Sequence, residues 1–280
     1  MHKNMNKKRY VLTIFVLVVL VGFAGCGKDT REAKLEDARI AMDNGDFNKV
    51  ISLTEELLDT NGDGVFNPDQ DLLLTTDDAE VAHLSVSARF GRAGINFTEM
   101  LTLAEQNGAA PKPSVLAKTN CQDVSFQAVS NMIPVTLGPQ HLTDLDVGIN
   151  LVDVIIQLYN DSEASVGHVD KLKQAHLIRA IGHAARIIVA IIVATDTNGD
   201  NRPDDAGGGN ISGTTLEELA AQVMDSFVDT LSALVESGIS DSDLRDSIIQ
   251  LRTNITGSPS NITINGTNLF AYLQGLVAQC

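Results

Sequence analysis

The residues best suited to chemistry lie in two acidic stretches built on one pentapeptide, Asp-Thr-Asn-Gly-Asp, at positions 59–63 and again at 196–200. Alternating Asp, Asn and Asp aim side-chain oxygens into a tight loop and Gly allows the bend. That is the chemistry a hard divalent cation needs, since calcium collects roughly six to eight oxygens. In the first stretch Asp59, Asn61 and Asp63 take loop positions one, three and five, Val65 offers its carbonyl, and Asn67 falls at nine. Position twelve is Gln70, so Asp69 or Asp71 must replace the bidentate glutamate of an EF-hand. In the second stretch the donors are Asp196, Asn198, Asp200, the Arg202 carbonyl and Asp204 or Asp205. Asp, Asn and Gly are also ordinary turn residues. The alternating oxygens, present twice, ask for more than turn propensity.

A second chemical set sits inside the apolar run 175–195, where His176, Arg179, His183 and Arg186 recur two helical turns apart and share a face. They could meet the carboxylate of a small apolar ligand. With His168 the histidines fit no zinc spacing. The run is apolar on nearly every side, which predicts a central helix enclosed by other helices. A membrane span competes, but charged residues at such depth are costly in lipid. Catalytic signatures are missing: there is no Gly-x-Ser-x-Gly elbow, no phosphate-binding glycine loop, no His-Glu-x-x-His and no Cys-x-x-Cys. The chain therefore reads as non-enzymatic.

The elements that must position these groups are helical. Apolar residues at helical spacing predict a hairpin from residue 35 through 58, broken at Asn44-Gly45-Asp46. Further helices are expected at 77–93, 98–106, 121–135, 142–159, 216–236, from 240 or 241 to 251, and 269–277. Residues 108–118, with Pro111 and Pro113, form a linker, and 254–268 a loop or short hairpin. Both acidic stretches follow the end of an apolar helix and precede a Thr-Thr pair, and Thr215 with Glu218 has capping-box spacing.

At the N-terminus, Lys3, Lys7, Lys8 and Arg9 precede the apolar segment 11–22, the layout of a secretory signal. Phe23-Ala-Gly-Cys26 then resembles the lipobox of bacterial lipoproteins. That resemblance implies cleavage before Cys26, diacylation of its thiol and, with Gly27 following, sorting to the outer membrane. Residues 1–25 are the expected signal, 26–34 a lipidated tether and 35–280 one helical domain. Loss of the signal leaves 16 basic against 36 acidic side chains, net −20, so the body repels nucleic acid and anionic lipid surfaces. Membrane attachment falls to the acyl chains. Cys121 and Cys280 remain and could pair in an oxidising envelope, although connectivity is open.

Ala38, Ala41, Gly45-Asp46-Phe47, Val50 and Leu57-Leu58 resemble a single tetratricopeptide unit, in which small residues let two antiparallel helices approach. The acidic stretches resemble dockerin or thrombospondin-type calcium loops. Together these imply an all-α irregular bundle or solenoid with a tetratricopeptide-like N-terminal hairpin (35–107) and a helical core (108–280). The expected role is a calcium-stabilised scaffold for an envelope protein partner, or alternatively a periplasmic binding protein for a small apolar or carboxylate ligand. Chelation of the calcium-loaded protein should lower its melting temperature; an unchanged transition in a strong chelator would refute the structural role of the two loops.

Overall fold

The computed structural model describes residues 30–62, 66–67, 76–95, 138–161, 168–197, 216–239, 243–258 and 263–279. These form helices only: α1 (Arg31–Asp43), α2 (Phe47–Leu58), α3 (Thr76–Arg92), α4 (Pro139–Asp161), α5 (His168–Thr195), α6 (Leu216–Glu236), α7 (Asp243–Thr256) and α8 (Gly266–Gln279). The fold is all-α. The expected helices 98–106 and 121–135, Cys26, Cys121 and Cys280 lie outside the described residues.

Each helix from α1 to α6 packs on the next in sequence, running alternately up and down, and α7 and α8 close against α6. α5 is the centre. Ala175, Ile181, Ala184, Ala185, Ile187, Ile188, Val189 and Ile191 are fully buried on it. It is long and apolar enough to cross a membrane, with mean hydropathy 2.0, yet 72% of that window is buried against other helices. The α4–α5–α6 layer encloses what the sequence marked as a run apolar on nearly every side.

Local chemistry sets the ends. Thr30 caps α1, its Oγ1 accepting the Ala33 N–H at 3.3 Å. α1 stops at Gly45, whose φ of 70° is left-handed, while the Asp46 N–H reaches back to the Ala41 carbonyl at 2.9 Å and the Gly45 N–H to Met42 at 3.0 Å. Asp46 then turns from finishing one helix to starting the next, accepting the Lys49 N–H at 3.2 Å. Ala38 and Ala41 are buried between α1 and α2. Several boundaries differ from expectation, among them the start of α1 at Arg31 rather than residue 35, which makes the last part of the expected 26–34 tether helical. Pro139 opens α4 ahead of the expected residue 142, where its fixed φ suits the first turn. α7 runs on to Thr256, past 251. α8 begins at Gly266, because Asn265 and Asn268 each accept the other's backbone N–H, at 3.0 and 2.8 Å, and the Glu217 carboxylate of α6 accepts the Gly266 N–H at 3.0 Å. No strand occurs among the described residues, so the hairpin alternative for 254–268 has no support there.

Helix contacts are tightened by aromatic rings laid on glycines. The Phe90 ring of α3 rests on both Gly148 of α4 and Gly182 of α5: a Cβ at Gly182 would stand 2.7 Å from Phe90 Cζ and 2.9 Å from Ile149 Cγ1, and one at Gly148 would stand 2.6 Å from Phe90 Cε1. Phe47 lies on Gly91 in the same way, at 2.7 Å. Phe90 is 1% exposed, so it has nowhere to retreat. Gly→Ala in a helix ordinarily stabilises by about 1 kcal/mol, whereas forcing a methyl into a packed core costs about 1–3 kcal/mol. Gly182→Ala should therefore lower the urea midpoint, while Gly275→Ala on α8, with open space around its Cβ position, should raise it. A Gly182→Ala protein as stable as wild type would contradict the Phe90 packing.

Candidate functional site

The polar face of α5 is the site the sequence marked, and the fold reveals what it meets. α4 and α5 are antiparallel, and the carboxylates of Asp146 and Asp153 on α4 stand opposite Arg186 and Arg179 on α5. Arg186 Nε donates to Asp146 Oδ1 at 2.5 Å, and its Nη1 donates to Ser226 Oγ of α6 at 3.0 Å and to the Gln222 carbonyl at 3.4 Å. Arg179 is held from both sides. Asp153 Oδ1 lies 2.7 Å from its Nε, off the N–H direction, so that N–H makes no hydrogen bond; Asp229 Oδ1 of α6 accepts from its Nη2 at 3.5 Å. His176 Nδ1 lies 3.0 Å from Glu236 Oε2 of α6 without hydrogen-bond alignment.

His183 differs from its neighbours. Its side chain is 10% exposed, neither ring nitrogen has a hydrogen-bond partner, and the nearest carboxylate oxygen, Asp229 Oδ2, is 3.8 Å from Nε2. Burial, followed by the flanking Arg179 and Arg186 charges, pushes its imidazole down to about 3. It is therefore neutral throughout the physiological range. Asp153 shows the same competition with a different sign: burial outweighs the pull of Arg179 and holds its carboxyl above the usual range. The four expected ligand-binding residues thus do come together, on a floor formed by α5 between carboxylate-bearing walls from α4 and α6. The capacity of both arginines to take a ligand carboxylate is, however, already engaged by aspartates.

Sequence reading missed the partners of this seam, and a second buried one. Asp144 of α4, with a side chain 1% exposed, is clasped by Arg92 of α3 in a bidentate pair, Nε donating to Oδ2 at 2.7 Å and Nη2 to Oδ1, with Arg89 Nη1 at 3.9 Å. Arg89, itself 6% exposed, also pairs with Glu55 of α2, and Arg92 donates to Asn48 at 2.9 Å. Farther out, Arg31 pairs with Asp78 and Arg39 with Glu80. A usable signal existed for the central seam alone: Asp146 and Asp153, Asp229 and Glu236, like Arg179 and Arg186, are spaced two helical turns apart. Of the other histidines, His83 stacks on Tyr159 with centroids 6.3 Å apart, and His141 Nδ1 accepts the Gly138 N–H at 3.0 Å.

The acidic turns are placed in part. Asp59 ends α2, its Oδ1 accepting the Gly62 N–H at 2.8 Å, and Gly62 has φ of 74°. Asn61 and Asn67 are described, and Phe66 packs against the main core. Asp196 directly follows α5. Asp63, Val65, Asp69, Asp71, Asn198, Asp200, Arg202, Asp204 and Asp205 lie outside the described residues. Because the helices alternate in direction, Asp59, at the end of α2, is at one pole of the stack and Asp196, at the end of α5, at the other. Among the described residues no three His, Cys, Asp or Glu side chains converge as a metal cluster.

No protein-family model, curated protein or solved structure matches this chain. The His183 environment makes a definite prediction. A histidine whose folded value lies below its unfolded one, near 6.5, stabilises fully above that value and loses its contribution as the pH falls towards about 3. Between about pH 6.5 and pH 5 the native protein should lose up to about 1.4 kcal/mol per pH unit from this group. The slope should flatten in His183→Gln; equal slopes for the two proteins would show that the imidazole is not linked to folding.

Proposed function

We propose that this protein is a lipid-anchored envelope scaffold that holds a partner protein and carries out no catalysis, with calcium in its acidic turns as a structural ion. What carries the reading is the stack itself. From α1 to α6 each helix rests on its sequence neighbour, and the steps are stapled by side chains on facing helices: Lys34–Glu56, Glu55–Arg89, Arg92–Asp144, Asp146–Arg186 and Asp229–Arg179. Stacked helix arrays of this kind present extended, rigid surfaces and bind through them. Buried charge is consumed in pairing helices, which suits a body whose task is to keep its shape.

The anchoring part rests on the basic, apolar and small-residue order before Cys26. Two or more acyl chains hold a protein firmly at a bilayer, which an acidic body needs. The turns favour calcium because hard oxygens alternate in both copies and each copy begins where a helix ends. There an ion offsets clustered carboxylates and joins one helix to the next.

A second reading, a binding protein for a small ligand at the central helix, is favoured by one observation: His183 is buried with both ring nitrogens unpartnered. Arg179 and Arg186 speak against a carboxylate as that ligand, since it would have to displace Asp153, Asp229 or Asp146.

Expressed in its own membrane, the wild-type protein should fractionate with membranes and carry acyl mass, and Cys26→Ser should be soluble and lack it. Native mass spectrometry of detergent-extracted wild type should then retain a partner protein. Recovery with a small organic molecule and no partner would favour the second reading, and an unacylated soluble wild type would remove the anchor.

A further inference from the structure

We propose that the outer face of α6 is a docking surface for a basic amphipathic helix of a partner protein. α6 carries two apolar lines. In the first, Leu219, Val223, Phe227 and Leu234 are buried and fill the core. The second, Ala221, Met224, Val228, Leu231 and Val235, advances by three and four residues in turn, which is the a and d spacing of a coiled-coil seam. Met224 and Leu231, at its d positions, are half-buried against the edge of the core, whereas Val228 and Val235, at its a positions, stand 52% and 63% exposed. The line runs for roughly 21 Å at 1.5 Å per residue, and apolar anchors at this spacing fit a helix laid alongside. It stops at the next d position, Glu217, whose carboxylate accepts the Gly266 N–H of α8.

Charge specifies the occupant. In the register of that line, Glu218 and Asp225 fall at e and Asp229 and Glu236 at b, so one side of the seam carries a row of carboxylates along the length of α6. Flanking charges of this kind set partner choice between paired helices. Asp229 and Glu236 already meet Arg179 and His176 of α5, but Glu218 and Asp225 are exposed, and Asp225 enters no ion pair among the described residues. α6 itself holds no Lys or Arg, and Lys173 of α5 stands beside Gly238, past the end of the line. A second copy of this chain would set one acidic row against another in a protein of net charge −16, and anionic headgroups are repelled for the same reason. A helix with apolar residues at its own a and d positions and Lys or Arg beside them satisfies both the seam and the row. This inference rests on the scaffold reading and adds the face that is used and the chemistry of what it holds.

The test uses full-length protein in phosphatidylcholine nanodiscs and two labelled synthetic helices of three heptads, both with Leu at a and d, one with Lys and one with Glu at e and g. The Lys helix should bind and the Glu helix should not. Val228→Ser/Val235→Ser, which alters exposed side chains and no charge, should weaken binding roughly tenfold or more, whereas Ile40→Ser, an exposed apolar residue on α1, should leave it unchanged. With p-benzoylphenylalanine in place of Val228, illumination should cross-link the Lys helix. Equal binding by wild type and the double variant, preference for the Glu helix, binding of neither, or cross-linking to a second copy or to lipid in place of the helix overturns the proposal. If wild type retains a partner in its own membrane and Val228→Ser/Val235→Ser retains it equally, the scaffold stands and this surface falls.

Discussion

Cations carried on a buried helix must find carboxylates, and that requirement organises the fold. α5 is enclosed almost completely, yet Arg179 and Arg186 lie on it with side chains about one-fifth exposed. An uncompensated charge at such a position costs several kcal/mol. The two facing helices remove that cost only in one alignment, with α4 and α6 both antiparallel to α5 and their acidic residues two turns apart. Ile and Ala surfaces slide past each other with little penalty, whereas charged pairs do not. The seam therefore contributes register more than raw stability, the role for which buried ion pairs are best attested.

The same logic is repeated on a smaller scale at the N-terminal side, with sterics added. Asp144 locks α4 to α3 through Arg92, and Phe90 locks the same pair from the apolar side by filling the space that Gly148 and Gly182 leave. The side chains responsible lie within one turn of each other on α3. That helix therefore couples the small core of α1 and α2, around Ala41, Val50, Ile51 and Ala88, to the large core around α5. Since each helix leans chiefly on its sequence neighbours, the stack behaves nearly as a linear chain of interfaces.

Much of this architecture was legible in the residues, and the reasons for the rest are physical. α2 and α6 were readable to the residue because the Asn44-Gly45-Asp46 break and the capping-box spacing of Thr215 with Glu218 are local signals. The enclosure of α5 followed from its being apolar on nearly every side, and the alignment of His176, Arg179, His183 and Arg186 on the remaining face followed from helical period alone. Their partners are another matter: the two-turn spacing of Asp146 with Asp153 and of Asp229 with Glu236 matches that of the arginines, but it points to no pairing until the packing order of three helices is known. Asp144 carried no signal at all, since a carboxylate followed by apolar residues is commonplace. The start of α8 was also hidden, because Glu217, 49 residues away in sequence, caps it. Of the acidic turns, the structure describes the entry of each and leaves most proposed oxygens outside.

The alternation of helix direction has a consequence for how the molecule would stand on a bilayer. α1 begins at the pole where α2 and α4 finish, and its cap, Thr30, follows Cys26 by only a few residues, each spanning at most about 3.6 Å. The acyl chains proposed for that cysteine would seat this pole, with the end of α2 at Asp59, close to the headgroups. The opposite pole, carrying the end of α5 and the Glu217-capped start of α8, would then project outward as the part of the stack most readily met by anything approaching from the aqueous side.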